Sequence, residues 1–158
     1  MNGAGRSASF SAPFKDPPMT DTPTRPFATA TDSGHGGLQT FVTAGPATIV
    51  ADLSAAQGGL DLGPDPHELV AAGLAACTTM TLRLYANQKG WDISGLHVEV
   101  FSSFDKETTP HERFERIITL EGDLTDEQRE RLFQIAEKCP IHKLLTAGAK
   151  VVTTVAGN

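Results

Sequence analysis

The chain has 158 residues, a net charge of -6, 39% apolar and 20% charged residues, a composition that suits one domain with a packed core. The acidic balance, with no basic stripe to neutralise phosphates, argues against a nucleic-acid partner. No apolar run approaches the roughly 20 residues of a membrane helix, and MNGAGRSASFSAPFKDPP contains no apolar signal region, so a cytoplasmic setting without a membrane partner is expected.

Residues 1–26 are rich in Pro, Ser, Thr and Gly and carry no period; they read as an irregular or mobile tail preceding a domain over 27–158. In TRPFATATDSGHGGLQTFVTAGPATIVADL, short Thr, Val and Phe runs are broken by SGHGG and AGP, which predicts two or three antiparallel strands. AAQGGLDLGPDP reads as a loop. DPHELVAAGLAAC then opens a helix: Asp65 is the N-cap, Pro66 sits where its missing N–H costs nothing, and Glu68 completes a capping box. Leu69, Gly73, Ala76, Met80 and Leu84 recur at helical spacing and predict one packed face, with the helix running to about Gln88 and Gly90 as its stop. The small residues at 71–76 predict a central helix approached closely by another element.

Leu96, Val98 and Val100 alternate with polar neighbours, as do Phe114, Arg116, Ile118 and Leu120, which predicts two strands joined by DKETTPHER. LTDEQRERLFQIAEKCP predicts a second helix, with Thr125 and Gln128 as a capping box, Leu132, Ile135, Ala136 and Cys139 as its apolar face, and Pro140 at its end. AKVVTTVAG reads as a closing strand. The order of elements is an α+β pattern.

Cys77 and Cys139, the two cysteines, both fall on predicted apolar helix faces and can meet if the helices pack together. Buried packing thiols are the commoner role of such residues. A thiol of pKa ~8.5 is only about 3% thiolate at pH 7, so a catalytic one needs stabilisation of its anion. The dipole of its own helix cannot supply this, because Cys77 lies ~16 Å past the helix start and the effect fades within one turn. Charged groups from another segment or subunit are required; Arg25, His35 and His67 are candidates, whereas Arg83 points off the Cys77 face. Cys77, Cys139, His67 and His142 lack the close ligand spacing of a zinc site, so no metal is expected. Glu68 is accounted for by the cap. No Gly-rich nucleotide motif is present and no cofactor is expected.

DPHELVAAGLAAC followed by TTMTLRLYANQKGW resembles the central helix of the OsmC/Ohr family, the osmotically inducible protein C and organic hydroperoxide resistance proteins. EGDLTDEQRERLFQIAEKCPIHKLL resembles that family's second helix with its Cys-Pro, and the resemblance runs in order over residues 27–156. It implies antiparallel sheets wrapped around two central helices in an intertwined homodimer. It implies a thiol peroxidase in which Cys77 attacks a hydroperoxide, Cys139 resolves the sulfenic acid to a disulfide, and an external dithiol of lipoyl type restores both thiols. Family peroxidases carry a Glu directly after the Pro of the helix start; here His67 stands there and Glu68 follows. They also carry an Arg in the first strand-turn, where this chain has DSGHGG and His35 is nearest. In these two features the chain is more similar to the OsmC-like branch than to the organic hydroperoxide reductases. A small-molecule binding protein on the same scaffold, or a redox-inert dimer whose thiols only pack, are the alternative functions.

Overall fold

The structure, a computed structural model, describes residues 26–156, so the expected tail falls almost wholly outside the described residues. Three strands follow one another, β1 (Ala28–Asp32), β2 (Thr40–Ala44) and β3 (Ala47–Ala51), and pair in that order as an antiparallel sheet. Thr31 lies opposite Phe41, and Phe41 opposite Val50.

The chain leaves β3 through a loop organised by Asp52, which is 2% exposed. Its carboxylate accepts from the backbone N–H groups of Leu53 at 2.8 Å, Leu60 at 3.0 Å and Leu62 at 3.4 Å, so the buried charge is satisfied locally. The loop contains a short 3-10 turn at Ala55–Gln57. Its return is tight enough to require glycine: a Cβ on Gly59 would lie 1.9 Å from the Leu53 carbonyl oxygen, and one on Gly63 would lie 2.0 Å from that of Val50.

Helix α1 (Pro66–Lys89) starts on the expected capping box. Asp65 accepts from the Glu68 N–H at 2.8 Å, and Glu68 accepts from the Asp65 N–H at 2.9 Å. Gly90 ends it in the left-handed region at φ 66°. The buried row is not the expected one. Leu74, Thr78, Leu82 and Ala86 face inward, whereas Met80 is 70% exposed and Val70 and Leu84 also face out. The inward row is the one that meets β4 and the later helices; the outward row has no cover among the described residues. Unlike the expectation of no membrane-length segment, α1 is long and apolar enough by length and composition to cross a bilayer. That apolar character is split between the core row and the uncovered row.

Strands β4 (Gly95–Phe104) and β5 (Glu112–Glu121) form the expected hairpin, with Val100 opposite Arg116. Helix α2 (Asp126–Ala136) starts on the Thr125–Gln128 box. It stops at Ala136, so Cys139 does not lie on its apolar face, contrary to expectation. Pro140 is not only where α2 has ended; it is the first residue of a third helix, α3 (Pro140–Ala147), and Cys139 is that helix's N-cap. The expected closing strand is also absent: residues 149–156 form no ladder among the described residues. A strand needs an edge to pair with, and among the described residues this segment pairs with none; Val151, Val152 and Val155 are 85%, 73% and 89% exposed. The architecture is α+β, with two antiparallel sheets and three α-helices rather than two.

The core joins Leu82 and Ala86 of α1, Ile93, Leu124, and Leu132, Ile135 and Ala136 of α2, with Leu96, Ile118 and Leu120 of the hairpin packed against it. Leu132 is fully buried. Leu132→Ala is expected to lower unfolding free energy by about 2–5 kcal/mol, through lost transfer energy and the cavity left behind, as measured by urea denaturation followed by circular dichroism.

Candidate active site

Two elements bring the thiols together. Cys77 sits three turns into α1, and the link between α2 and α3 lays Cys139 against it. The thiols are free and are close enough for each to shift the other's titration. Cys139 is fully buried, whereas Cys77 is partly accessible.

The N-terminus of α3 faces both sulfurs. The Ile141 N–H reaches Cys77, and the His142 and Ile141 N–H groups reach Cys139. The first N–H groups of a helix have no intrahelical partner and carry the positive end of its dipole, so they stabilise an anion here. Burial raises the Cys77 pKa, the neighbouring Cys139 raises it further, and the Ile141 N–H and Thr81 hydroxyl only partly offset this. Burial acts in the same direction on Cys139, but the neighbouring Cys77 thiol, the two amides and the Thr78 hydroxyl outweigh it and bring its pKa down. The pair therefore holds its first negative charge on the buried sulfur and its remaining proton on the accessible one.

Cys77 opens into a cavity of 620 Å³, within the size range of small-molecule sites. Met80, Leu84 and Pro140 supply apolar wall, and Thr81 and Asn87 supply neutral polar groups. Each charged residue lining it is a cation: Arg83, Lys138 and Lys143. Arg83 thus shares the cavity with Cys77, contrary to the expectation from helical spacing, although its guanidinium is tied to the Ile93 carbonyl oxygen.

The other sequence candidates lie elsewhere in this chain. The Glu68 carboxylate is exposed and engaged in the α1 cap. His35 is exposed in the turn after β1, with Nδ1 2.7 Å from the Ser33 carbonyl oxygen. His67 Nε2 lies 3.5 Å from a Glu112 carboxylate oxygen. Arg25 lies outside the described residues. His142, weighed in sequence as a zinc ligand, has its backbone N–H near Cys139 and its Nε2 3.1 Å from Glu137 Oε2. Sequence reasoning missed α3 and with it the source of anion stabilisation. The available signal was Pro140 itself, which opens a helix as readily as it ends one.

The sequence profile of the family described as OsmC-like protein matches residues 58–154, which span α1 through α3 and hold both thiols. The chain belongs to the OsmC-like protein family. Among solved structures, an OsmC-like protein from Mycoplasma pneumoniae is similar over 78% of this chain and 89% of its own, at 20% identity and a TM-score of 0.62. An organic hydroperoxide resistance protein, OsmC, from Legionella pneumophila is similar over 79% and 91%, at 21% identity and a TM-score of 0.58. The organic hydroperoxide resistance protein OhrB of Bacillus subtilis is similar over 73% and 86%, at 26% identity and a TM-score of 0.51. No curated protein sequence matches the chain.

In this OsmC-like protein the sulfur pair is expected to titrate in two steps of one thiolate each, the first below the ordinary thiol value of ~8.5 and the second above it. Ultraviolet thiolate absorbance across a pH titration of the reduced protein checks this. Two thiolates rising together at the ordinary value would mean that the sulfurs do not share a proton.

Proposed function

We propose that this OsmC-like protein is a homodimeric thiol peroxidase that reduces organic hydroperoxides, with Cys77 as the attacking and Cys139 as the resolving sulfur. One observation carries the reading: an accessible thiol at an apolar cavity lies beside a second, buried thiol. The proton on Cys77 passes to the neighbouring Cys139 sulfur, leaving the accessible sulfur as thiolate. Cys77 then attacks one peroxide oxygen, the O–O bond breaks, and the alkoxide takes a proton to leave as alcohol, with Cys77 as sulfenic acid. Cys139 attacks the sulfenic sulfur and releases water, forming a disulfide. An external dithiol, of lipoyl type in the family's pattern, returns two electrons and two protons and leaves as its own disulfide. A reducing cytoplasmic setting fits a pair that cycles in this way. Glu68 and His35 take no step in this scheme. The relatives named for organic hydroperoxide resistance support it at the level of family and fold.

The reduced protein mixed with cumene hydroperoxide is expected to lose two thiols per chain within seconds, and more slowly with hydrogen peroxide. Cys77→Ser is expected to abolish the loss, and Cys139→Ser to stop at a sulfenic acid detectable by a dimedone adduct. Unchanged peroxide consumption by Cys77→Ser removes the reading.

A second reading is favoured by one specific feature: the accessible thiol is also the one whose pKa is raised. A binding protein holding an apolar ligand in the 620 Å³ cavity accommodates that without catalysis. Thiol loss at the rate of a simple thiol, together with a thermal shift on adding apolar ligands, would select it.

The homodimer rests on the uncovered row of α1, with Met80 70% exposed, and on the unpaired valines after α3. Burying such surface is favourable at about 25 cal/mol per Å². Met80→Glu is expected to shift the protein from dimer to monomer in sedimentation velocity; a wild-type monomer would exclude the dimer.

A further inference from the structure

Arg116 stands in a row that should be apolar. On β5 the alternate side chains Phe114, Arg116, Ile118 and Leu120 face inward, and the Arg116 side chain is only 10% exposed. A buried guanidinium persists only when its donors are satisfied, so its partners show what it is there to hold. They are Thr78 Oγ1 at 2.9 Å, the Ala136 carbonyl oxygen at 3.3 Å and Glu137 Oε1 at 2.8 Å. Each leads to Cys139. Thr78 is fully buried and its hydroxyl reaches the Cys139 sulfur. The Ala136 carbonyl also accepts the Cys139 N–H at 3.2 Å. Glu137 holds His142 Nε2 at 3.1 Å through its other oxygen, and the His142 N–H points at Cys139.

We propose that Arg116 is the positioning cation of the thiol pair, holding the Thr78 hydroxyl and the 136–142 turn so that Cys139 is fixed beside Cys77. The hydroxyl has a single hydrogen, which it also directs to the Leu74 carbonyl oxygen at 2.8 Å. Arg116 only donates, so it occupies an oxygen lone pair and leaves that hydrogen for Leu74 or the sulfur. When Cys139 is a thiolate the hydroxyl turns to it, and the guanidinium polarises the bond through the shared oxygen. Arg116 touches neither sulfur and acts through Thr78, Glu137 and His142. The titratable and charged groups facing the pair are Cys77 and Arg83 from α1, Arg116 from β5, Glu137 and Lys138 from the turn, and His142 and Lys143 from α3. This role rests on the thiol pair being the site, and not on the pair consuming peroxide.

The test is the thiolate titration of the full reduced chain, with no peroxide present. Arg116→Gln is expected to move the first midpoint up towards the free-thiol value of ~8.5, cutting the thiolate fraction at pH 7 by about tenfold, and Arg116→Lys to retain most of the wild-type behaviour. Thr78→Val is expected to move the midpoint the same way and Thr78→Ser to leave it in place. Glu137→Gln leaves the guanidinium uncompensated and is expected to move it down. Purely structural damage would not give opposite signs at Arg116 and Glu137. Folded Arg116→Gln with an unchanged first midpoint overturns the proposal. If that variant does not fold, an unchanged midpoint in Thr78→Val overturns it. A normal response of these variants alongside no peroxide consumption by the wild type would sink the peroxidase and leave Arg116 in place.

Discussion

The pairing of the two sulfurs depends on a short turn. Residues 137–139 carry the chain from the end of α2 to the start of α3, and with Pro140 as the first residue of α3 the N-cap is a cysteine whose sulfur faces α1. The consequence is a division of labour. The buried sulfur lies among donors that favour an anion, while the accessible sulfur lies at the cavity and keeps the proton. An anion kept out of water until it is needed is also protected from indiscriminate oxidation, since susceptibility follows thiolate character together with exposure.

Around that pair the charges are sorted by depth. Arg116 and the α3 amides act from the protein side, and Glu137 neutralises Arg116 and orients His142. On the cavity side stand Arg83, Lys138 and Lys143, in a chain whose net charge is -6. Three of the 13 cations of this acidic protein thus line the cavity into which Cys77 opens. α1 serves two surfaces at once. Its inward row builds the core and carries Thr78 to Arg116, and its outward row with Met80 offers the surface on which a second copy would close.

Much of the fold was legible in the amino-acid order. The capping boxes at Asp65–Glu68 and Thr125–Gln128 mark the starts of α1 and α2 because they satisfy backbone donors locally, without help from distant residues. Gly90 and the alternation along β4 and β5 are equally local signals. Arg116 was visible as a charged member of an otherwise apolar strand row, but nothing in sequence said what it would meet. The apolar stripe Leu69–Leu84 was real as a pattern and wrong as a core, because helical periodicity identifies apolar faces and not which of them the same chain covers.

The sequence by itself determined the α+β class, the helix starts, the β4–β5 hairpin and the family motifs that single out Cys77 and Cys139, all of which rest on short-range hydrogen bonding and on periodicity. The tertiary structure decided the rest. It turned Pro140 from a terminator into the first residue of α3, left the Val151–Val155 segment without an edge to pair with, and brought the amides of Ile141 and His142 to both sulfurs. The physical reason is that anion stabilisation and strand pairing are contacts between segments. Their strength depends on distance and burial, which residue spacing along the chain does not encode.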